Sequence, residues 1–428
     1  MQREFATMYI PFDKVNNIGF ISTRFAGTDG VSLETEKWAR VFEKEGFDCF
    51  YFAGEVDRPS SQSHLVPAAH FMDPGIRSIF NAVFASHANG VRTRQLTTEI
   101  HDFKEHLKDK LYDFITKFKI DLLIPENALT IPLNIPLGLA ITEIIAETGL
   151  LTIAHHHDFF WERPQFKTNA VWDYLNMAFP AHLPTIRHVV INSSASNQLS
   201  LRTGISATTI PNVMDFAHPP LPPDAYASDV REALGLDPDE RLILQPTRVV
   251  KRKGIENAIE LVSRLGMKAL LVISHASGDE GHDYEQRIID YSQRMQVNTR
   301  FVSNIISERR GTTSDGRKIY TLQDIYHHAD FVTYPSTREG FGNAFLETVY
   351  FRKPILVNHY SIYTFDIKPK GFLAVEIDGY VTDTAVEKTR ALIEDPRLRE
   401  EMVENNYALG KKFYSYEVLH DKLMNLMV

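Results

Sequence analysis

The feature that most constrains the fold is an alternation of short apolar segments with amphipathic ones, which runs along the chain twice. The apolar segments are residues 18–23, 48–53, 121–125, 150–154 and 189–192, followed later by 242–245, 269–273, 299–302, 331–334 and 354–357. Short apolar runs separated by helical patterns are typical of buried parallel strands that are joined by crossover helices. The sequence therefore predicts an α/β protein with two doubly wound, Rossmann-like sheets.

The segments between the strands carry helical patterns. The longest pattern has apolar side chains at steps of three or four residues, namely Leu96, Ile100, Phe103, Leu107, Leu111, Phe114 and Phe118. Charges of both signs accompany it, which favours a helix packed on a core over one that lies on a membrane surface. Shorter helices are predicted at residues 32–46, 133–149, 255–265, 321–328 and 416–427.

One proline-rich interruption separates the two runs. Residues 218–224 read His-Pro-Pro-Leu-Pro-Pro-Asp, and proline does not fit inside a helix or a central strand. We therefore predict a first domain over residues 1–217 and a second domain over residues 218–411. Two such domains are expected to face each other across a cleft, with ligands at the carboxyl ends of the strands.

Length and composition exclude several classes of protein. The 428 residues exceed one ordinary core but fit two α/β domains. The net charge of −9 disfavours general binding to nucleic acid or to anionic lipid. The single cysteine, Cys49, excludes an internal disulfide and paired-cysteine metal sites. Residues 1–10 lack the pattern of a signal peptide, and no apolar run reaches the length of about 18 residues that a membrane span needs. We therefore expect a cytoplasmic protein without stable membrane association.

The most informative segment, residues 335–347, follows a predicted strand and opens a helix. Glu339 precedes the helix, and Glu347 lies two turns inside it. The residues directly after Glu339 are Gly340, Phe341, Gly342 and Asn343. Backbone N–H groups and the helix dipole favour an anion at such a position, and glycine lets a phosphate or a sugar approach the backbone closely. An ordinary turn with solvated glutamates is the alternative, but the complete strand–loop–helix motif favours a ligand site.

A cluster of positive charge follows the predicted strand at residues 242–245. Its members are Arg248, Lys251, Arg252 and Lys253, and Gly254 comes directly after them. Arginine binds a pyrophosphate in a bidentate fork, and lysine acts as a point charge. A solvated basic turn is the alternative. Beside the glycine loop of residues 340–343, the pattern favours phosphate binding by Arg248 and Lys253, and it leaves Lys251 and Arg252 undecided.

Three consecutive histidines, His155, His156 and His157, stand before Asp158 at the carboxyl end of a predicted strand. Successive residues of a strand point to opposite faces, so all three can bind one ion only if the backbone bends sharply. No further His or Cys cluster has the spacing of a zinc site. We therefore expect no metal site and favour a hydrogen bond from one histidine to a sugar or an acceptor, with Asp158 orienting a neighbour.

A glycine loop over residues 27–31 follows the first predicted strand. Gly27 and Gly30 permit a tight turn and the close approach of a ligand. The loop lacks the third glycine of a dinucleotide-binding fingerprint. A plain loop and a role on the acceptor side both remain open.

Together these segments resemble the retaining glycosyltransferases of family 4, which have the GT-B fold, and the resemblance covers nearly the whole chain. Residues 339–347 look like the glutamate-pair motif of the family, and Arg248 with Lys253 and Gly254 looks like its phosphate clamp. Residues 27–30, 190–194 and 210–215 look like three further family segments. One of the three histidines matches the active-site histidine of the family, but the triplet does not fix which one.

The resemblance implies an enzyme that moves a hexose from UDP-glucose or GDP-mannose to a small soluble acceptor such as a sugar, a sugar phosphate or a glycosylglycerate. Glu347 would bind the ribose, and Arg248 and Lys253 would neutralise the diphosphate. The donor sugar would be held by Glu339, one of the histidines and the backbone of Gly340, Phe341, Gly342 and Asn343. Retention implies a same-face displacement that the departing phosphate assists, so no protein nucleophile is assigned, with Glu339 as a minor alternative.

The resemblance also implies that no cofactor is tightly bound and that no divalent metal is required. It further implies that the last helix, within residues 412–428, packs back on the first domain.

Residues 274–278 and 358–363 depart from the glycine-rich family pattern near the donor pocket, which leaves the identity of the donor open. The first-domain helices lack a basic apolar face, which disfavours a lipid acceptor and points to synthases with soluble acceptors, such as sucrose-phosphate synthase or mannosylglucosylglycerate synthase. A nucleotide-sugar epimerase and an inactive nucleotide- or sugar-binding regulator are the alternatives, and a homo-oligomer is compatible with the sequence.

Overall fold

The computed structural model describes residues 14–27, 29–84, 90–277 and 282–427. The expectations for residues 1–10, Thr28 and Gly278 fall outside these ranges. The described chain divides into two compact units: the first runs to Pro211 and resumes at Leu419, and the second is Asn212–Val418. The prolines of residues 218–224 lie in an irregular segment of the second unit.

In the residues that the structure describes, the first unit contains one sheet of seven parallel strands. In chain order they are β1 (Asn17–Ile21), β2 (Asp48–Ala53), β3 (Ser63–Leu65), β4 (Leu122–Pro125), β5 (Leu151–His156), β6 (Ile186–Val190) and β7 (Ala207–Thr209). They pair in the order β3-β2-β1-β4-β5-β6-β7. The order reverses between β1 and β4, and ligands of doubly wound sheets bind beside such a reversal, at the carboxyl ends of the strands.

In the described part of the first unit, six helices connect these strands. They are α1 (Gly30–Lys44), α2 (Pro74–Phe84), α3 (Arg94–Phe118), α4 (Ile135–Thr148), α5 (Trp172–Ala178) and α6 (Ser193–Thr203). Side-chain caps begin several of them, because Asp29, Thr93 and Asn134 accept hydrogen bonds from the first-turn N–H groups of α1, α3 and α4. Helix α3 buries Leu107, Leu111 and Phe114 of the predicted apolar stripe against one core that it shares with α4. Leu96 and Ile100 are buried in a second core, to which α4 also contributes.

The second unit repeats this plan. Its strands are β8 (Arg241–Gln245), β9 (Ala269–Ile273), β10 (Asn298–Phe301), β11 (Gly311–Thr312), β12 (Lys318–Ile319), β13 (Phe331–Tyr334), β14 (Ile355–Asn358) and β15 (Val375–Ile377). Six of them form a parallel sheet in the order β10-β9-β8-β13-β14-β15, and β11 and β12 form a separate antiparallel pair. The strand order of this sheet reverses between β8 and β13.

The helices of the second unit are α7 (Val230–Ala233), α8 (Ile255–Arg264), α9 (His282–Arg294), α10 (Leu322–His328), α11 (Asn343–Tyr350), α12 (Asp383–Glu394) and α13 (Pro396–Tyr414). The buried faces of α8 and α12 meet one apolar core together with β8 and β9. Thr321 and Asp324 form a capping box at the start of α10. These elements confirm the prediction of two doubly wound, Rossmann-like domains.

The last helix, α14 (Tyr416–Leu426), returns to the first unit. Lys422 donates a hydrogen bond to the carbonyl of Thr209 at 3.0 Å. Arg187 donates to the carbonyl of Leu426. The C-terminal segment therefore completes the fold of the unit that begins the chain.

Some predicted boundaries differ from those of the structure. Strand β5 continues through His155 and His156, because both pair with β6, whereas the sequence predicted an end at residue 154. Strand β6 begins and ends earlier than predicted, and Asn192 caps α6 instead of extending the strand. In the part of the chain that the structure describes, no helix has both the length and the apolar composition to cross a bilayer.

Candidate active site

The loops after β8 and β13 lie side by side because the two strands are neighbours in the sheet. The backbone N–H of Thr337 donates to the carbonyl of Arg252 at 2.8 Å. Gly254 has a φ of 60°, and a Cβ on it would lie 2.5 Å from the carbonyl oxygen of Pro335. Glycine is therefore required at this position, since any side chain would push the two loops apart.

The two docked loops bring together Lys253 and Glu339, two of the side chains that the sequence predicted for this site. The Nζ of Lys253 lies 2.5 Å from Oε1 of Glu339, and Nη1 of Arg252 lies 3.2 Å from Oε2 of the same carboxylate. Lys253 and Glu339 are largely buried, with exposed side-chain fractions of 10% and 9%, whereas that of Arg252 is 36%. The sequence did not decide whether Arg252 takes part in phosphate binding. In the structure, Arg252 lies beside Glu339.

The electrostatics of this cluster follow from burial and from the charges that meet there. Burial by itself would raise the pKa of the Glu339 carboxyl, but Lys253 and Arg252 outweigh it and hold the pKa below its ordinary value. Burial lowers the pKa of the Lys253 ammonium, with Glu339 opposing the shift. The cluster is therefore a partly buried cationic corner in which one carboxylate offsets two positive charges.

Arg248 is exposed in the loop after β8, and its positive charge acts on Lys253 in the same corner. The pKa of His275 lies below its ordinary value because of burial first, and then because of the positive charges of Arg248 and Lys253. His275 belongs to the segment after β9 that departs from the family pattern, and it is hydrogen-bonded to Ser274 at 2.6 Å. The predicted phosphate clamp thus has an imidazole beside it that sequence reasoning did not single out.

Helix α11 begins at the loop after β13 without a side-chain cap. Gly342, its N-cap, has a φ of 122°, and a Cβ there would lie 2.3 Å from the hydroxyl oxygen of Tyr360. Among the described residues, the buried Tyr360 hydroxyl has no hydrogen-bond partner. Phe341 packs edge-on against Tyr414, and Asn343 accepts a hydrogen bond from Asn212 at 2.7 Å. Contacts with Tyr414 and Asn212 therefore hold the loop after β13 in place. The backbone N–H groups at the start of α11 have no side-chain cap.

Glu347 lies within α11, on the same segment as Glu339. The hydroxyl of the buried Tyr326 donates to Oε2 of Glu347 at 3.3 Å. The carboxylate nearby helps to raise the pKa of Tyr326, after the larger effect of burial. This contact fixes the Glu347 side chain from one side and leaves it only partly buried.

In the first unit, the three histidines follow the strand alternation that the sequence predicted. His155 and His157 both approach Glu126, whose Oε2 lies 2.9 Å from Nδ1 of His155 and 3.1 Å from Nε2 of His157. His156 points to the opposite face, where it bonds Thr130 at 2.5 Å and His188 at 2.9 Å. Glu126 comes directly after β4, next to the reversal of strand order, and sequence reasoning missed it.

The Glu126 cluster is buried and charged. Burial alone would raise the pKa of Glu126, but His155 and His157 outweigh it and lower that pKa. The pKa of His155 is lowered mainly by burial, whereas the pKa of His157 is raised because Glu126 outweighs the effect of burial. Trp38 stacks on His155 with ring centroids 4.1 Å apart.

Asp158 does not bond to any histidine ring among the described contacts. It pairs with Arg163 at 2.5 Å and accepts a hydrogen bond from Asn127 at 3.1 Å. Asn127 in turn accepts a hydrogen bond from the backbone N–H of His157 at 3.1 Å. Asp158 therefore orients Asn127, the residue that holds the backbone at His157.

The two glycines of the first loop differ in structure. Gly27 has a φ of 75°, and its N–H donates to Asp57 at 3.1 Å. Gly30 is the first residue of α1, and Asp29 accepts hydrogen bonds from the N–H groups of Val31 and Ser32. These first-turn N–H groups are thus directed at Asp29, and the proposed ligand roles of Gly27 and Gly30 stay predictions.

Within the described ranges, the ligand atoms of Glu126, His155 and His157 approach one another closely enough, within 4.8 Å, for a metal ion to be considered. Hydrogen bonds from the two imidazoles to the carboxylate account for this arrangement without an ion. In the second unit, the positive charges of Arg248, Arg252 and Lys253 complement the negative charge of a phosphate group.

A family model and several known proteins are similar to this chain. A family model described as "Glycosyl transferases group 1" matches residues 314–409, which include Glu339 and Glu347. A mannosylglucosylglycerate synthase of Thermotoga maritima is 31% identical over 441 residues, which cover 95% of this chain and 98% of the relative. A protein of the same name from Petrotoga mobilis is 30% identical and covers 84% of this chain and 86% of its own length.

Solved structures with little sequence identity share the fold. A sucrose-phosphate synthase from Thermosynechococcus elongatus superposes with a TM-score of 0.64 at 15% identity, over 96% of this chain and 98% of the other. HepE of Anabaena, solved in complex with UDP and glucose, gives a TM-score of 0.64 at 14% identity, over 96% of this chain and 99% of the other. The chain therefore belongs to the group 1 glycosyltransferases, resembling family 4 with the GT-B fold, and it is an enzyme of sugar transfer.

Proposed function

We propose that this enzyme transfers a hexose, with retention at the anomeric carbon, from a nucleoside diphosphate hexose to a small soluble acceptor. The observation that carries the proposal is the cluster of Lys253, Arg252 and Glu339 at the reversal of strand order in the second unit. Cations, a carboxylate and an uncapped helix start meet there, and a sugar diphosphate needs all three kinds of partner.

The cations stabilise the leaving group. When the bond between the sugar and the diphosphate breaks, negative charge develops on the phosphate oxygen. Lys253 and Arg248 neutralise this charge, and stabilising a leaving group in this way is usually the largest single contribution to the rate. Because Lys253 is buried, its charge acts through less water than an exposed lysine would and is correspondingly more effective.

Carboxylates hold the hydroxyl groups of the donor. Glu339, together with the backbone of residues 340–343, accepts and donates hydrogen bonds to the transferred hexose. Glu347 binds the ribose of the nucleotide, with Tyr326 fixing its orientation. In the first unit, a histidine of the triplet contacts the hexose near its reacting carbon. Since no step needs a Lewis acid once the cations hold the diphosphate, we propose that a divalent metal is not required.

Retention follows from a displacement on one face of the sugar. The acceptor hydroxyl attacks the anomeric carbon on the face from which the diphosphate leaves. The acceptor O–H bond breaks, its proton passes to the departing phosphate oxygen, and the new glycosidic bond replaces the sugar–phosphate bond. Atoms and charges balance without a covalent intermediate on the protein, so Glu339 is assigned to binding and not to nucleophilic attack.

The names of the relatives suggest the substrates. Two relatives with identities of 31% and 30% are mannosylglucosylglycerate synthases. A relative with 26% identity over 52% of this chain is a mannosylglucosyl-3-phosphoglycerate synthase. We therefore propose mannose as the transferred sugar and glucosylglycerate, without a phosphate, as the acceptor.

The test is a transfer assay in which released nucleoside diphosphate is measured for GDP-mannose and UDP-glucose, each with glucosylglycerate, with glucosyl-3-phosphoglycerate, or with no acceptor. We expect GDP to be released from GDP-mannose, and the release to depend on glucosylglycerate. A donor whose sugar is isomerised without any acceptor and without net release of nucleoside diphosphate would identify an epimerase instead. A donor that binds but is never consumed would identify an inactive regulator.

A further inference from the structure

We propose that Glu126 is a positioning residue, which holds the imidazole of His157 in place to contact the transferred sugar. His157 is then the histidine of the triplet that faces the ligand. The identity of the ligand rests on the proposed function, whereas the bond between Glu126 and His157 does not.

The choice of His157 follows from exposure. The side chain of His157 keeps an exposed fraction of 10%, whereas that of His155 is 1%. His156 is 1% exposed and its ring is engaged on the other face of the strand by Thr130 and His188. Of the three imidazoles, His157 therefore has surface to offer to a ligand at the carboxyl edge of the sheet.

Glu126 cannot touch a ligand directly, because its side chain has no exposure. A buried carboxylate is unfavourable unless cations or hydrogen bonds compensate for it. A carboxylate can only accept, so the nitrogens that face it, Nδ1 of His155 and Nε2 of His157, both carry protons. Glu126 thereby fixes both the orientation of the His157 ring and the position of one of its protons.

The backbone around the pair is held as firmly as the side chains. Asn127 has a φ of 58°, which is uncommon for a residue with a side chain. Its N–H donates to the carbonyl of His155 at 2.9 Å, and its side chain accepts from the N–H of His157 at 3.1 Å. Trp38 stacks on the ring of His155, with ring centroids 4.1 Å apart. Glu126 and His157 thus lie in a rigid frame that joins the ends of β4 and β5.

The kinetic test is a double-mutant cycle. We expect Glu126→Gln to lower kcat by about 10- to 100-fold, because a misplaced contact of about 1 Å can cost that much. The KM for the donor should stay within about twofold, since that pattern marks an interaction made in the transition state. We expect His157→Ala in the Glu126→Gln background to lower kcat little further, because the two residues act as one unit. Additive losses would contradict the proposal, as would an unchanged kcat in Glu126→Gln.

Two further variants separate positioning from folding. Glu126→Asp keeps the charge but shortens the side chain, so we expect partial activity with a melting temperature near that of the wild type. His188→Asn removes the contact on the opposite face of β5 and should leave kcat unchanged. Equal losses of kcat in His188→Asn and Glu126→Gln would show that any damage to this region suffices, and would overturn the proposal.

A measurement without turnover keeps the inference separate from the proposed function. Ring resonances of His157 can be followed by NMR spectroscopy in the full-length enzyme and assigned with His155→Gln and His157→Gln variants. We expect the Nε2 proton of His157 to be protected from exchange in the wild type and to lose that protection in Glu126→Gln. An Nε2 proton that is unaffected by the substitution would refute the bond, whether or not the enzyme transfers mannose.

Discussion

The Nζ of Lys253 lies 2.5 Å from Oε1 of Glu339, so the lysine after β8 and the glutamate after β13 form a buried ion pair. Their loops come from neighbouring strands at the point where the strand order reverses. Without a ligand, each residue satisfies the charge of the other. A diphosphate sugar would offer anionic oxygens to Lys253 and hydroxyl groups to Glu339, and so would replace this pair by two contacts with the donor.

The first prediction concerns Lys253. We expect Lys253→Met to lower kcat/KM for the donor by at least about 100-fold, because it removes the charge that we propose stabilises the leaving group. It should also lower the free energy of unfolding by about 3 kcal/mol, since it leaves Glu339 as a buried carboxylate without its nearest partner. Steady-state kinetics and chemical denaturation measure the two effects.

A matched pair of variants separates these effects. Arg252→Met removes a more exposed partner of the same carboxylate and should lower both quantities less. In the double variant Lys253→Met/Glu339→Gln, most of the lost stability should return but the activity should not. Recovery of activity in the double variant would contradict a role of Lys253 in catalysis.

A second prediction concerns the docking of the loops. We expect Gly254→Ala to lower the free energy of unfolding by at least about 2 kcal/mol and to reduce activity, because it combines backbone strain with a clash against Pro335. Gly266→Ala is the control, since Gly266 has a similar φ of 66° but no close contact. Its loss should be only about 1 kcal/mol, with full activity. Equal losses would show that the close approach to Pro335 does not matter.

A third prediction concerns acid stability. Burial lowers the pKa of His188 from 6.5 to about 4 in the folded protein. Between these values the unfolded chain binds a proton that the folded chain does not, so stability falls as the pH falls from 6.5 to 4, by up to about 3 kcal/mol. Denaturation measured at several pH values in this range should give a free energy of unfolding that changes less with pH for His188→Asn than for the wild type.

A fourth prediction concerns the nucleotide. One of UDP, GDP and ADP should raise the melting temperature of the wild type, because a ligand that binds the folded state stabilises it by mass action. Glu347→Ala should lose most of this shift, and the exposed Glu400→Ala on α13 should keep it. If none of the three nucleotides stabilises the wild type at millimolar concentration, a nucleotide donor is the wrong assignment.

The sequence predicts the elements of the second unit well because its strands are short, apolar and bounded by clear turns. Strand β13 has the predicted bounds, and β8 differs by one residue. The strand–loop–helix context of Glu339 and the basic loop with Lys253 were both visible, and strand adjacency brings them together. The edge strands β3, β7 and β15 were not predicted, because each has only three residues and so shows too little of an apolar pattern.

Glu126 shows why part of the candidate site could not be predicted. It is one glutamate after an apolar strand, with no motif around it, and its partners lie 29 and 31 residues further along the chain. The histidine triplet was conspicuous, but choosing among its members needs the direction of each side chain. That direction depends on where β5 ends, and the pairing of His155 and His156 with β6 decides it.

The product that the wild-type enzyme forms from GDP-mannose and glucosylglycerate decides whether the proposed transfer takes place. NMR spectroscopy of the purified product gives the configuration of the new glycosidic bond. We predict mannosylglucosylglycerate in which the mannose keeps the α configuration of the donor. A product with the β configuration would contradict the same-face displacement, and the absence of any mannosylated product would contradict the proposed substrates.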